Sequence, residues 1–372
     1  MSGTVANNLE RSSGTVGAAG SGIIVDSGDP AIDSNPAGGL GTVWSNSTSG
    51  ETYVCTDATP GTNVWTNVGD GTGDIEPWLF GGTSYGFVCG NHPGTNAVDR
   101  WSFASGTQNG VDWGNTVGTT RYSKGGNSDK DNGYRYNCGG YNPPINEIIR
   151  FSMTSSSTSN DVGDMTQTGN NYVCMSNATH GWAAGSGAGD NTRVEKMAFA
   201  SSGNASDWSD LVTGGYDGGG ATNTTGTYGY FMGGWQGSTG VDTIQKINLT
   251  SQATSTSVST LHTGRQGMAG NSSSTHGYCT RGSGGDVIDK FNMSTDADAT
   301  FVGDAVLSVG SCAGSSSTTY GYAVAGSGSI NVIEKVPFAS DTNATDVGDL
   351  TKGAGSGPGG NEGWIDGSGS QI

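Results

Sequence analysis

One motif returns six times along this 372-residue chain. An aromatic-Gly-aromatic step opens a short apolar run that closes on glycine, as in Tyr320-Gly-Tyr-Ala-Val-Ala-Gly326. A loop follows, and then a run reading Val/Ile-x-Lys/Arg-apolar-x-apolar, as in Ile333-Glu-Lys-Val-Pro-Phe338. The recurring glycine falls at Gly86, Gly133, Gly181, Gly229, Gly277 and Gly321, with a fainter echo at Gly363. The spacings are 47, 48, 48, 48, 44 and 42 residues. A period in the forties built from short strands points to a propeller or a similar array, because no single repeat can shield its own apolar flanks.

Each repeat reads as four strands. The first is rich in Gly and Ser, as in Gly264 to Asn271. The second is the marker strand, as in Tyr228 to Gly234. The third carries the basic residue, as in Val241 to Leu249. The fourth holds Asp-Val-Gly-Asp, as at Asp161–Asp164 and Asp346–Asp349. Four strands per period make one blade. The expected fold is all-β, a propeller of six blades with seven as the alternative, over residues 75–372. The C-terminal Asn361-Glu-Gly-Trp-Ile-Asp366 reads as a strand that closes the ring by pairing near residues 77–90.

Apolar residues are only 32% of the chain, and glycine alone accounts for 68 positions. That borders on the disordered class, but aromatic and β-branched residues recur on a strict period, which favours short strands and turns. A net charge of −18 offers no basic cluster for phosphates, so no nucleic-acid partner is expected. An anionic membrane surface would repel the chain, and no apolar run is long enough to span a bilayer. No signal-peptide pattern opens at Met1. Six cysteines are too sparse for a disulfide scaffold, and their offsets differ between repeats, so buried reduced thiols are expected.

Ahead of the repeats, residues 1–39 read as a flexible or extended docking arm with one apolar patch, Ile23-Ile24-Val25. Residues 40–74 read as a small three-stranded β-meander and linker. Its aromatics, Trp44, Tyr53 and Trp65, form either a flat sugar-stacking platform or the whole core of a unit this small.

The glycine pairs Gly139-Gly140 and Gly233-Gly234, with Trp113 and Trp208 in the late strand, resemble kelch repeats. The pair is reduced to one glycine at Gly90, Gly185, Gly282 and Gly326, and Val162, Val302 and Val347 stand where the Trp is expected. The resemblance implies a kelch-like propeller and no particular activity. The pattern Gly-Tyr-x-x-Gly-Gly, with Phe338-Ala-Ser-x-x-Asn-Ala-Thr-Asp-Val-Gly-Asp-Leu-Thr351, is similar to repeats in marine bacteriophage virion proteins, tail fibres in particular. The unit at 40–68 resembles a small module found ahead of such fibre domains. This resemblance implies a virion protein, a tail fibre or surface knob for host attachment. Its partners would be other virion proteins through the N-terminal arm and a host-surface glycan or receptor. A homo-oligomer, a trimer, is expected. A capsid decoration protein and a polysaccharide-acting enzyme are the alternatives.

Six of the fifteen basic residues occupy one repeat position: Arg100, Arg150, Lys196, Lys246, Lys290 and Lys335. They could bind an acidic glycan. As blade residues they would instead pair with the fourth-strand acids Asp164, Asp210, Asp304 and Asp349. His180 and His276 share a slot read as Tyr85, Asn132, Tyr228 and Tyr320 elsewhere, which argues against a metal ligand. The Asp-x-Gly-Asp turns lack the dense carboxylate spacing of a calcium loop and are expected to bond local backbone. No nucleophile-base-acid set stands out, so no enzyme, cofactor or metal is expected.

Overall fold

The structure, a computed structural model, describes residues 23–69, 81–91, 95–104, 106–116, 125–141, 143–201, 203–283, 285–327, 330–351 and 370–371. Residues 1–22 of the arm, linker residues 70–74, His92 and the segment 361–366 lie outside them. The described residues are all-β, with no helix. The chain divides into two compact units, Met1–Trp78 and Leu79–Ile372.

The described part of the first unit is one four-stranded sheet of Ile24–Asp26, Val43–Asn46, Thr52–Asp57 and Val64–Asn67, in that order. Residues 23–39 are therefore not a separate arm, and the sheet has four strands where three were expected. Ile24–Asp26 pairs in parallel with Val43–Asn46, while the other two pairings are antiparallel. Two asparagines tie the long connection down. Asn46 donates to Asp29 Oδ1 at 2.8 Å, and the buried Asn63 accepts from the Asn35 N–H at 2.7 Å.

Among its described residues the second unit holds six four-stranded sheets and one two-stranded sheet. In sheets two to six the lead strands are Gly125–Asp129, Val173–Ser176, Gly219–Thr222, Ala269–Ser272 and Ala313–Ser316. The marker strands are Tyr134–Cys138, His180–Ala184, Tyr228–Met232, His276–Thr280 and Tyr320–Gly326. Basic and outer strands follow in chain order. Sheet one differs. Its marker, basic and outer strands are Tyr85–Asn91, Thr95–Ser102 and Val111–Asn115, but its lead strand is the C-terminal Ser370–Gln371, paired with Phe87 and Gly86. The chain end does return to the first repeat, through residues 370–371.

The lead strands of sheets two, four, five and six are rich in Gly, Ala and Ser because lead strands approach one another closely. A Cβ on Gly220 would strike Cys174 O, one on Gly270 would strike Gly220 N, and one on Gly314 would strike Gly270 O. Hydroxyls bridge the same strands: Ser176 Oγ accepts from Ser128 N at 3.0 Å, and Ser316 Oγ accepts from Ser272 N at 3.0 Å. The marker glycine has a similar cause. At Gly181 and Gly321 a Cβ would press on Asn127 and Asn271 of the preceding lead strand. Register corrects this slot in sheet two. Arg135, not Gly133, lies opposite Phe151, as Gly86 lies opposite Trp101. Arg135 is buried and reaches back to sheet one, donating to Phe87 O at 3.0 Å.

Every basic–outer pairing shares one register shift, leaving Trp113, Val162, Trp208, Val258, Val302 or Val347 as the extra residue, and sheet two has a second between Ile145 and Glu147. A bulge re-aims a side chain, and in sheets one and three the indole N–H crosses to the next sheet. Trp113 donates to Ser152 O at 3.0 Å and Trp208 to Asn248 O at 2.9 Å. Where the bulge holds Val, a marker-strand tyrosine crosses instead. Tyr136 OH reaches Phe199 O at 3.1 Å, and Tyr230 OH reaches Met293 O at 2.8 Å. Tyr278 stacks on Phe338, and Tyr322 stacks on Phe103 of sheet one.

A main-chain bond accompanies each of these crossings. The segment before each outer strand donates to the outer strand of the sheet before it, as Ala205 N does to Asp164 O at 2.8 Å. Gly110 of sheet one makes the same bond to Asp349 O of sheet six, at 2.7 Å. All six cysteines are buried.

Substituting Gly270 or Gly314 by alanine is expected to lower unfolding free energy by about 1–3 kcal/mol, the usual cost of overpacking. Gly285→Ala, whose Cβ would meet nothing nearer than 3.7 Å, should leave it within about 0.5 kcal/mol. Denaturant titration of the three variants tests this.

Candidate functional site

Two residue columns of the basic strand point to opposite sides, as neighbours on a strand must. The first column is the basic residue itself. Each is half-buried beside the half-buried aromatic that begins the marker strand. Arg100 lies between the Tyr85 and Trp113 rings, 4.1 and 3.7 Å from their centroids. Arg150 covers Tyr134 at 4.6 Å, Lys196 covers Trp208 at 3.9 Å, Lys246 covers Tyr228 at 4.4 Å and Lys335 covers Tyr320 at 4.5 Å. The expected partners, Asp164, Asp210, Asp304 and Asp349, do not fill this role. Register pairs Asp210 with Arg193, three residues before Lys196, which places it about 10 Å along the strand. The acids that do pair come from the next sheet: Asp296 with Lys246 at 2.8 Å and Asp341 with Lys290 at 2.9 Å. These heads are held by ring faces and neighbouring acids, as cation–π geometry requires.

The second column immediately precedes the first: Asp99, Glu195, Gln245, Asp289 and Glu334, all buried, with Ile149 in sheet two. Each is held from the sheet before it. Thr351 binds Asp99 through N–H and hydroxyl at 2.8 and 2.6 Å. The Thr166 N–H binds Glu195 at 2.5 Å, and Gln245 trades bonds with the Thr213 backbone at 3.1 and 2.8 Å. Arg265 meets Asp289 at 2.6 Å and Arg281 meets Glu334 at 2.7 Å, both pairs fully enclosed. Arg281 adopts φ +64, in the slot where Gly139 and Gly233 open the glycine pair, at φ +63 each. Burial pushes the Glu195 carboxyl above its ordinary range, against the opposing Thr166 bond. Sequence reasoning missed this column, although an acid or amide before the basic residue in five repeats was visible.

Tyr53 and Trp65 are wholly enclosed, with Cys55, in the core of the first unit. Trp44 is half-buried, sits edge-on to Trp65 at 5.8 Å, and donates to Gly28 O at 2.9 Å. The three rings pack into the unit rather than lying flat on its surface. His180 and His276 cap their strands, each with a threonine hydroxyl 2.8 Å from Nδ1. Register places Tyr134, not Asn132, in their slot in sheet two. Among the described residues no group of three His, Cys, Asp or Glu is placed to hold a metal. Asp161 and Asp346 accept from the N–H two residues on, at 3.2 and 3.1 Å, so these turns bond their own backbone.

The opposite end of the sheets is where the repeats diverge. The marker-to-basic connection runs through 139–144 in sheet two, 185–192 in sheet three and 281–286 in sheet five. In sheet four it runs through 233–242 and folds into its own hairpin, Trp235–Gln236 against Thr239–Gly240. No family model matches this chain, and no curated protein matches it in sequence.

Arg281→Met alone strands a buried carboxylate and should cost about 3–5 kcal/mol, whereas Arg281→Met with Glu334→Leu should recover most of that stability. Thermal and denaturant unfolding of the single and double variants distinguishes these outcomes. Burial first and then a lysine (Lys196 or Lys290) hold His180 and His276 below the ordinary imidazole pKa, with Asp341 opposing at His276. The folded chain therefore binds fewer protons than the unfolded chain near pH 6. Stability should fall as pH drops through about 6.5. The double variant His180→Tyr, His276→Tyr should flatten that slope, read from melting temperatures between pH 5 and 8.

Proposed function

We propose that Leu79–Ile372 closes as a six-bladed, kelch-like β-propeller in a bacteriophage virion protein, a tail fibre or surface knob that attaches the particle to host glycans. Six blades are favoured over seven by the junctions. Sheet six packs on sheet one through Tyr322 and Phe103 and bonds to it through Gly110 and Asp349, as each earlier sheet does with its successor. Ser370–Gln371 also lies beside both Ala313–Ser316 and Gly125–Asp129, filling the sixth lead position. A strand from the chain end inside the first sheet would lock such a ring.

The observation that carries a binding role is the contrast between the two ends of the sheets. One end repeats the same aromatic–cation contact in five of the six sheets. The other changes its connections among sheets two to five and gains a hairpin in sheet four. A constant scaffold with divergent loops on one face is the usual layout of a recognition surface. The enclosed acids of the basic strands all serve as ties between sheets, so they offer no solvent-facing carboxylate pair for glycoside cleavage. The virion context comes from the sequence resemblance to phage fibre repeats. The Met1–Trp78 unit would face the particle, in a symmetric oligomer with many weak contacts.

Antibody labelling should decorate particles at the tail or capsid surface, and excess purified protein should compete with particle adsorption to host cells. Unlabelled particles, with adsorption unchanged at saturating protein, would remove the attachment role. Release of sugar from host polysaccharide would point instead to an enzyme.

A further inference from the structure

We propose that Trp235, with Tyr216 beside it, forms a stacking subsite for a neutral hexopyranose unit of a surface polysaccharide, an inference that rests on the glycan-attachment reading. Seven tryptophans are described. Six have a structural use: Trp44 packs on Trp65, Trp101 packs on Phe103 and Tyr322, Trp113 packs on Phe87, and Trp182 packs on Trp208. Trp235 is different. Among the described residues its ring pairs with no other aromatic, its indole N–H meets no acceptor, and the side chain is only half-buried.

The backbone beneath it is nevertheless fixed. Trp235 N donates to Tyr216 O at 2.7 Å, and Tyr216 N returns a bond to Trp235 O at 3.2 Å. Gly234 N donates to Arg265 O at 2.9 Å, and Val241 N donates to Gly234 O at 2.9 Å. Antiparallel partners opposite one another present their side chains to the same face, so the Tyr216 and Trp235 rings share one side of the small sheet. Tyr216 also reaches toward Gly187 of sheet three, next to Asn170. A rigid, half-exposed indole costs little conformational entropy to use and offers a broad apolar face with a polar edge, which suits the C–H face of a sugar ring.

The local chemistry selects the sugar. The hairpin reads Trp235-Gln-Gly-Ser-Thr-Gly240, with amide and hydroxyl groups and no charge. The chain as a whole carries −18, which disfavours a uronic or sialic acid. The hairpin is also the feature that sheet four alone adds to the repeat among the described residues, and such insertions are where repeat arrays place recognition.

The experiment uses the full chain on an array of neutral bacterial glucans, galactans and mannans, alongside adsorption of the protein to host cells. Wild type should bind at least one neutral polysaccharide. Trp235→Ala should lose tenfold or more of that binding with an unchanged melting temperature, and Trp235→Phe should keep part of it. Equal binding by Trp235→Ala overturns the subsite and leaves glycan attachment standing. Adsorption to cells with no binding to any neutral polysaccharide also overturns the subsite. Failure to adsorb at all overturns both.

Discussion

Backbone set directly against backbone along the lead strands is the constraint from which the rest of the second unit follows. Gly220, Gly270 and Gly314 each occupy a point where a methyl group would enter the neighbouring strand. Such contact excludes water but buries little apolar surface. Cohesion therefore has to come from the flanks of the sheets. There the large residues are concentrated: Trp101, Trp182, Tyr136, Tyr230, Tyr322, Phe87 and Phe231 are all essentially enclosed. The low apolar fraction of the sequence is the outcome of this division, with small residues on the lead strands and aromatic ones between sheets.

The junctions obey one rule with two solutions. An aromatic from one sheet must reach the next, and the group that does so depends on the bulge. With Trp113 or Trp208 in the bulge, the marker strand holds Phe87 or Trp182, neither of which hydrogen-bonds to the next sheet. With valine in the bulge, the marker strand holds Tyr136, Tyr230, Tyr278 or Tyr322. The two positions exchange the task, so the late-strand Trp can be absent from four repeats without loosening the array. The buried acids add a second tie. Where threonine supplies the donors, as at Asp99, the pairing is neutral-to-ion. Where arginine supplies them, as at Asp289 and Glu334, the enclosed charges fix the partner and exact a desolvation cost.

Much of the array was legible. The period, the four-strand division and the all-β class follow from spacing alone, since alternation and turn residues act locally. The errors have a common origin. Gly133 was aligned with the marker glycines because it precedes a tyrosine, but the cross-strand partner of Phe151 is Arg135. The fourth-strand acids were matched to the basic residues by charge, but register sets them at opposite ends of their strands. The acids that do pair sit in the next sheet, some fifty positions away, as Asp296 is from Lys246. No local pattern reports such a distance.

By itself the sequence determined the period of the repeats, which residues alternate within each, and that no apolar stretch could serve as a membrane span, because periodicity and composition are properties of the chain in one dimension. Only the tertiary structure decided which side chains meet across sheets. It buried Tyr53 and Trp65, gave Glu334 its arginine, brought Ser370–Gln371 into the first sheet, and left Trp235 half-exposed on its own hairpin. Those outcomes depend on register, bulge position and the closeness of neighbouring backbones, which are settled only when separate repeats compete for the same space.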